Sequence, residues 1–123
     1  MESEEITEKI IKCAMDVHTA LGPGLLENAY KECLFYKLCK IGFYVEKEKP
    51  MPLVFDGISL DCGYRIDLLV ENSIVIELKS VKNIEDIHLS QILTYMRLGK
   101  FKVGLIINFN VTSLKDGIKR VVN

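Results

Sequence analysis

Between Tyr64 and Lys82 the chain reads Y-R-I-D-L-L-V-E-N-S-I-V-I-E-L-K-S-V-K, and this stretch restricts the fold more than any other. Ile66, Leu68 and Val70, then Ile74, Val75, Ile76 and Leu78, predict two short buried strands joined by a tight turn at Glu71-Asn72-Ser73. Four charges interrupt the apolar run: Arg65, Asp67, Glu77 and Lys79. A charge in a buried strand is costly unless it is paired, hydrogen-bonded or bound to a metal.

Strand parity narrows the possibilities. Successive residues point to opposite faces, so Glu77 and Lys79 share one face and Leu78 takes the other. A three-residue loop pairs Val70 with Ile74 and sets Asp67 opposite Glu77. A two-residue loop would shift Asp67 to the wrong face. The odd-length loop is therefore expected, with two carboxylates and one ammonium converging on one patch of sheet.

Two carboxylates suit a hard cation such as Mg²⁺, which takes one or two carboxylates together with waters and substrate phosphate. A lysine beside them can orient a water and offset phosphate charge, as phosphodiester hydrolysis by in-line displacement requires. The same charges could also form ordinary cross-strand ion pairs on a solvated face. Residue types and spacing leave both readings open.

A chain of 123 residues, 49% apolar and 27% charged, is expected to form a single domain over residues 1–123. No apolar run is long enough to span a membrane. The acidic N-terminus, M-E-S-E-E-I-T-E-K, lacks the features of a signal peptide, so a cytoplasmic protein is expected. A net charge of −1 argues against bulk electrostatic gripping of long duplexes. A local basic groove from Lys79, Lys82, Arg97, Lys100 and Lys102 competes with a plain solvated face. Cys13, Cys33, Cys39 and Cys62 show no metal-ligand spacing and read as buried reduced thiols. His18 and His88 lack ligand-like companions.

Helical spacing predicts a first helix from Glu4 to Leu21, capped by Ser3, and a break at Gly22-Pro23-Gly24. A second helix is expected from Leu25 to Ile41, with Gly42 as its left-handed terminator. Glu27 and Tyr30 lie on neighbouring positions of one of its faces. A strand over Phe43–Lys49 precedes a small hairpin, Leu53–Phe55 and Ile58–Leu60, turning at Asp56-Gly57. Gly63 marks a bulge or close approach. A third helix from Ile84 to Leu98 carries Gln91 and Tyr95 four apart on one face and stops at Gly99. Lys102–Phe109 reads as a strand buried on both faces, beside or parallel to the central hairpin. Leu114–Val122 is taken as a short amphipathic tail, helical in the element order ααβ(ββ)ββαβα. The class is α/β, a mixed central sheet flanked by helices.

These segments together resemble a family. Gly24-Leu25-Leu26-Glu27-Asn28-Ala29-Tyr30 is similar to the G-x-x-E-x-x-Y signature of the small prokaryotic GxxExxY proteins, assigned to the PD-(D/E)XK nuclease-like superfamily. The likeness extends through Y-R-I-D-L-L-V, I-V-I-E-L-K, Q-I-L-T-Y and F-N-V-T-S-L-K-D-G-I-K-R-V-V-N, nearly the whole chain. It implies a restriction-endonuclease-like αβββαβ core and an Mg²⁺-dependent (or Mn²⁺-dependent) phosphodiesterase site.

Under this resemblance Asp67 is the metal-binding aspartate, and Glu77 with Lys79 forms the (D/E)-x-K pair. Gln91 and Tyr95 match the Q-x-x-x-Y of RecB-like and Cas4-like exonucleases, and Glu27 takes the place of a first-helix acid that completes the metal site. Tyr30 joins Glu27 and Tyr95 as an auxiliary residue. The implied metal ligands are Asp67, Glu77 and Glu27; the implied catalytic set is Asp67, Glu77, Lys79 and Gln91. No C-terminal cysteine group is present to hold an iron–sulfur cluster. The implied partner is nucleic acid, DNA first. The alternative is a non-catalytic nucleic-acid-binding or protein-interaction module on the same fold, and a homodimer is compatible with either.

Overall fold

The computed structural model describes residues 1–123. Helices α1 (Ser3–Leu21) and α2 (Glu27–Lys40) precede strand β1 (Val45–Pro50), a small hairpin β2 (Leu53–Phe55) and β3 (Ile58–Leu60), and the central pair β4 (Arg65–Val70) and β5 (Ile74–Lys79). Helix α3 (Asp86–Gly99), strand β6 (Val103–Asn108), a 3₁₀ turn (Leu114–Gly117) and strand β7 (Ile118–Val122) complete the chain. The main sheet has the order β1-β4-β5-β6-β7, with β5 and β6 parallel and the other neighbours antiparallel. Strands β2 and β3 pair only with each other.

Helices cover both faces of this sheet. Ile6, Ile10, Cys13, Ala14 and Val17 recur at helical spacing along α1 and pack with Tyr30, Leu34 and Leu38 of α2. They meet Leu68, Val70, Ile74, Ile76 and Leu78 from the central hairpin and Val103, Leu105 and Ile107 from β6. On the opposite face Ile92, Tyr95 and Met96 of α3 cover Leu69, Val75 and Ile106. Strand β6 is buried along its whole length, as expected for a strand sandwiched between helical layers. Each fully buried aliphatic side chain there contributes about 1.5–3 kcal/mol. Gly104 faces α3, where an added Cβ would press against Met96 and Ile92.

The central turn has the odd length that parity demands, because Val70 pairs with Ile74. Glu71 and Asn72 both adopt left-handed backbone, φ 54° and 53°. Glu71 is held there by Tyr44, whose N–H donates to its carboxylate at 2.7 Å and whose carbonyl accepts its N–H at 2.8 Å.

Several expectations are corrected. Glu2, not Ser3, precedes α1, and no side chain caps that helix. The residue that ends α3 in left-handed conformation is Lys100, with Gly99 still helical. Gly63 has φ +78°, donates its N–H to Asp61 Oδ1 and has open space around it, so it lies in the irregular segment ahead of β4 and marks neither a bulge nor a close approach. The tail is a 3₁₀ turn and an edge strand: Ile118, Val121 and Val122 are β-branched, and β7 closes the open edge of β6. Only Cys13 is buried; Cys33 is half-buried, Cys39 and Cys62 are exposed, and all four are free thiols. No helix is long and apolar enough to cross a membrane.

Candidate active site

The parallel pair β5–β6 sets the location, because the carboxyl ends of parallel strands open a crevice that neighbouring elements can line. Glu77 and Lys79 lie at that end of β5, level with Ile106 and Asn108 of β6. Asp67 comes from β4 alongside. Strict alternation fails there: Ile66 packs in the α3-side core and Leu68 in the opposite one. The regular pairing of β4 with β5 extends from Val70 to Leu68, and pairing with β1 skips Glu48, which has φ 55°.

Side chains take over where the ladder ends. The Leu78 N–H donates to Asp67 Oδ2 at 2.8 Å, and the Asp67 N–H makes a long bond, 3.4 Å, to Glu77 Oε1. One oxygen of each carboxylate is thus held by the opposite strand's backbone. The two acids are brought together as the sequence parity requires.

Glu77 is only 5% exposed. Burial first, and then the Asp67 carboxylate, push its acid well above the ordinary carboxylate range, while Lys79 acts weakly in the other direction. Cross-strand ion pairing does not occur: Arg65 reaches Asp61 at 3.8 Å and donates to the Tyr64 carbonyl. A buried, like-charged acid pair without a close cationic partner is destabilising by itself. A cation between them removes that cost. The hard-oxygen donor set fits a divalent ion that completes its shell with water and phosphate. No three acidic, histidine or cysteine side chains gather closely enough to form a cage.

Tyr95 approaches the pair from α3. Its phenol is buried, and burial, followed by the charges of Glu77 and Asp67, raises its pKa, with the nearby Gln91 amide opposing the rise. Gln91 itself is exposed, one helical turn earlier. Tyr64, which sequence reasoning did not single out, tilts against Tyr95 with ring centroids 6.1 Å apart. Its one signal is an aromatic side chain immediately before R-I-D.

Glu27 and Tyr30 stand apart from the acid pair. Glu27 is exposed in the first turn of α2, and its carboxylate accepts the Ser80 N–H at 3.4 Å. Ser80 Oγ donates to the Leu25 carbonyl at 2.6 Å. Tyr30 is fully buried and stacks on Phe109, centroids 4.4 Å apart. Its hydroxyl donates to the Gly22 carbonyl at 2.6 Å and accepts the Leu25 N–H at 3.1 Å. The G-x-x-E-x-x-Y segment therefore ties the Gly22–Leu25 loop to the residue that follows Lys79.

Asn108 and Ser80, also missed, complete this clamp. The buried Asn108 amide bonds both backbone groups of Val81, and the Phe109 N–H donates to the Lys79 carbonyl at 3.0 Å. A polar residue closing an otherwise apolar strand was the available signal for Asn108. His18 Nε2 bonds the Val111 carbonyl at 2.8 Å, a structural tie.

The five basic residues do not form one groove. Lys102 precedes Val103, which is level with Ile74, so Lys100 and Lys102 lie a strand's length from Lys79, about 17 Å at the rise of a parallel strand.

The profile described as the PD-(D/E)XK nuclease superfamily matches residues 4–121. No curated protein and no solved structure matches the chain. Members of this superfamily generally use divalent metals and act on nucleic acid. With a match over nearly its full length, the chain belongs to the PD-(D/E)XK nuclease superfamily.

Proposed function

We propose that the protein is a divalent-metal-dependent phosphodiesterase that hydrolyses nucleic acid in the cytoplasm, with Mg²⁺ or Mn²⁺ as the ion and DNA as the first substrate to test. The observation that carries this reading is the adjacent pair Asp67 and Glu77, the latter buried and with Lys79 two residues further along the same face. Asp67 and Glu77 would hold the ion, with Glu27, whose Oε2 accepts the Ser80 N–H, as an auxiliary ligand or water-mediated contact. A bound divalent ion supplies Lewis-acid polarisation of the phosphoryl group and a more acidic water. Lys79 orients that water and offsets charge on the phosphate. Tyr95, which feels the charge of both acids, and Gln91 one turn earlier would orient Lys79 or contact the nucleic-acid backbone. DNA is favoured by the likeness of Gln91 and Tyr95 to the Q-x-x-x-Y of RecB-like exonucleases. The narrower assignment to the GxxExxY proteins rests on the Gly24–Tyr30 segment.

The second reading, a non-catalytic binding module on the same fold, draws on the small size of the chain and its net charge of −1. Cleavage of linear single- and double-stranded DNA, circular DNA and RNA in Mg²⁺ or Mn²⁺ separates the two. Cleavage by the wild type that disappears in Lys79→Ala is expected. Metal binding without cleavage of any substrate would transfer the case to the binding module.

A further inference from the structure

An open pocket of about 440 Å³ lies between the small hairpin and α3, bordered by Leu53, Tyr64, Ser90, Gln91, Thr94 and Tyr95. Tyr95 belongs to both places: it helps line the pocket and feels the charges of Asp67 and Glu77. We propose that this pocket receives one unpaired nucleobase of a single-stranded or frayed nucleic acid, beside the scissile phosphate. The inference rests on the nuclease reading and names its substrate class.

The chemistry of the walls supports a base over other groups. Tyr64 is 44% exposed and tilts against Tyr95, leaving ring surface on which a base can stack. The exposed Gln91 amide offers a donor and an acceptor to a base edge. Thr94 Oγ1 is turned to the Ser90 carbonyl and His88 Nδ1 takes the Glu85 N–H, so neither atom is free for a base edge. Glu85 and Asp86, next in the chain to the lining residues Ile87 and His88, disfavour a phosphate at that end of the pocket. The volume lies within the range of small-molecule sites, above about 300 Å³. A base inside a duplex is stacked and paired and cannot enter without being extruded.

The hairpin gains a role in this arrangement. It pairs with no other strand, and a lone two-stranded hairpin is of marginal stability in water. Leu53 nevertheless forms one wall of the pocket.

The test measures binding by the full chain in Ca²⁺, using fluorescence anisotropy. The probes are an octathymidylate, an abasic deoxyribose-phosphate octamer of equal charge, and a fully paired hairpin duplex. Octathymidylate is expected to bind about tenfold or more tightly than the abasic chain. Tyr64→Ala and the pocket-filling, non-aromatic Thr94→Met should erase that difference, and Tyr64→Phe should keep it. Both sites are solvent-accessible, and circular dichroism checks that the variants fold. Equal binding of the abasic chain, equal binding of the duplex, or indifference to Tyr64→Ala overturns the pocket and leaves the nuclease reading standing. Failure to bind any probe also overturns the pocket, and the cleavage panel alone then decides the nuclease reading.

Discussion

Asn108 grips Val81 on both sides of its peptide backbone: Nδ2–H donates to the Val81 carbonyl at 2.9 Å, and Oδ1 accepts the Val81 N–H at 3.1 Å. The amide thereby acts as one further step of the β5–β6 ladder, just past the level at which Lys79 faces Asn108. The exit of β5 is also tied to α2 through Ser80. Lys79 thus leaves a strand whose backbone is fixed from both neighbours, while its own side chain remains partly solvated.

Asn108→Ala removes both bonds from a residue only 2% exposed. The Val81 N–H loses its partner, its carbonyl keeps only the 3.3 Å bond from Asn110 Nδ2, the Asn110 N–H loses its bond to Oδ1, and the expected cost is about 2 kcal/mol. Urea denaturation measures it. Amide exchange should accelerate at Val81 more than at Leu105, in the middle of β6; uniform acceleration across the sheet would contradict a local clamp.

Tyr30→Phe isolates the hydroxyl from the ring. The stack on Phe109 survives, but the Gly22 carbonyl and the Leu25 N–H lose their partner. A loss of about 1–2 kcal/mol is expected, against about 3–5 kcal/mol for Tyr30→Ala, which also empties the core. Equal losses in thermal denaturation would show that the hydroxyl, and not the ring, carries the residue's contribution.

Much of this architecture was legible in local pattern. The β4–β5 register followed from the period of two, because a one-residue slip would have moved every apolar side chain to the wrong face. The buried character of β6 was readable from an unbroken aliphatic run. The tail was not: five residues of mixed polarity satisfy either period, and only the open edge of β6 decides for a strand. The adjacency of Asp67 and Glu77 was legible because the Val70–Ile74 register sets them opposite each other, and backbone hydrogen bonds hold them so. Asn108, Ser80 and Tyr64 act through partners distant in sequence, which no spacing rule connects. Gln91 and Tyr95 stand out by their spacing on one helix face but take a role only from the resemblance, and Tyr30, grouped with the site by the same resemblance, lies in the opposite core.

Thr7 carries a buried hydroxyl with no hydrogen-bond partner. Thr7→Val replaces it with a methyl of similar shape, so the desolvation penalty disappears while packing is kept. A gain of about 1 kcal/mol is expected in urea denaturation. A loss of stability would mean that the hydroxyl has a partner in solution.

Asp67→Asn keeps an oxygen for the Leu78 N–H while removing the charge. The fold should persist by circular dichroism, and Mn²⁺ affinity by calorimetry should fall by an order of magnitude or more. Unchanged Mn²⁺ binding would count against Asp67 as a ligand.

Glu77→Gln tests the acid pair through pH. Burial and the Asp67 charge raise the folded-state pKa of Glu77 above its unfolded value of about 4.3. The folded chain therefore holds this proton more tightly than the unfolded chain. Its contribution to stability is fully present below the unfolded value and is lost as pH rises through the folded one. In chelator, Glu77→Gln should match the wild type near pH 4 and exceed it increasingly toward pH 8, because the amide keeps the shape and never ionises. Adding Mn²⁺ at pH 8 should raise the wild-type melting temperature and leave the variant nearly unmoved, since a ligand that binds only the folded state stabilises it by mass action. A difference between the two proteins that stays constant with pH would show that Glu77 is not the group whose burial strains the metal-free fold.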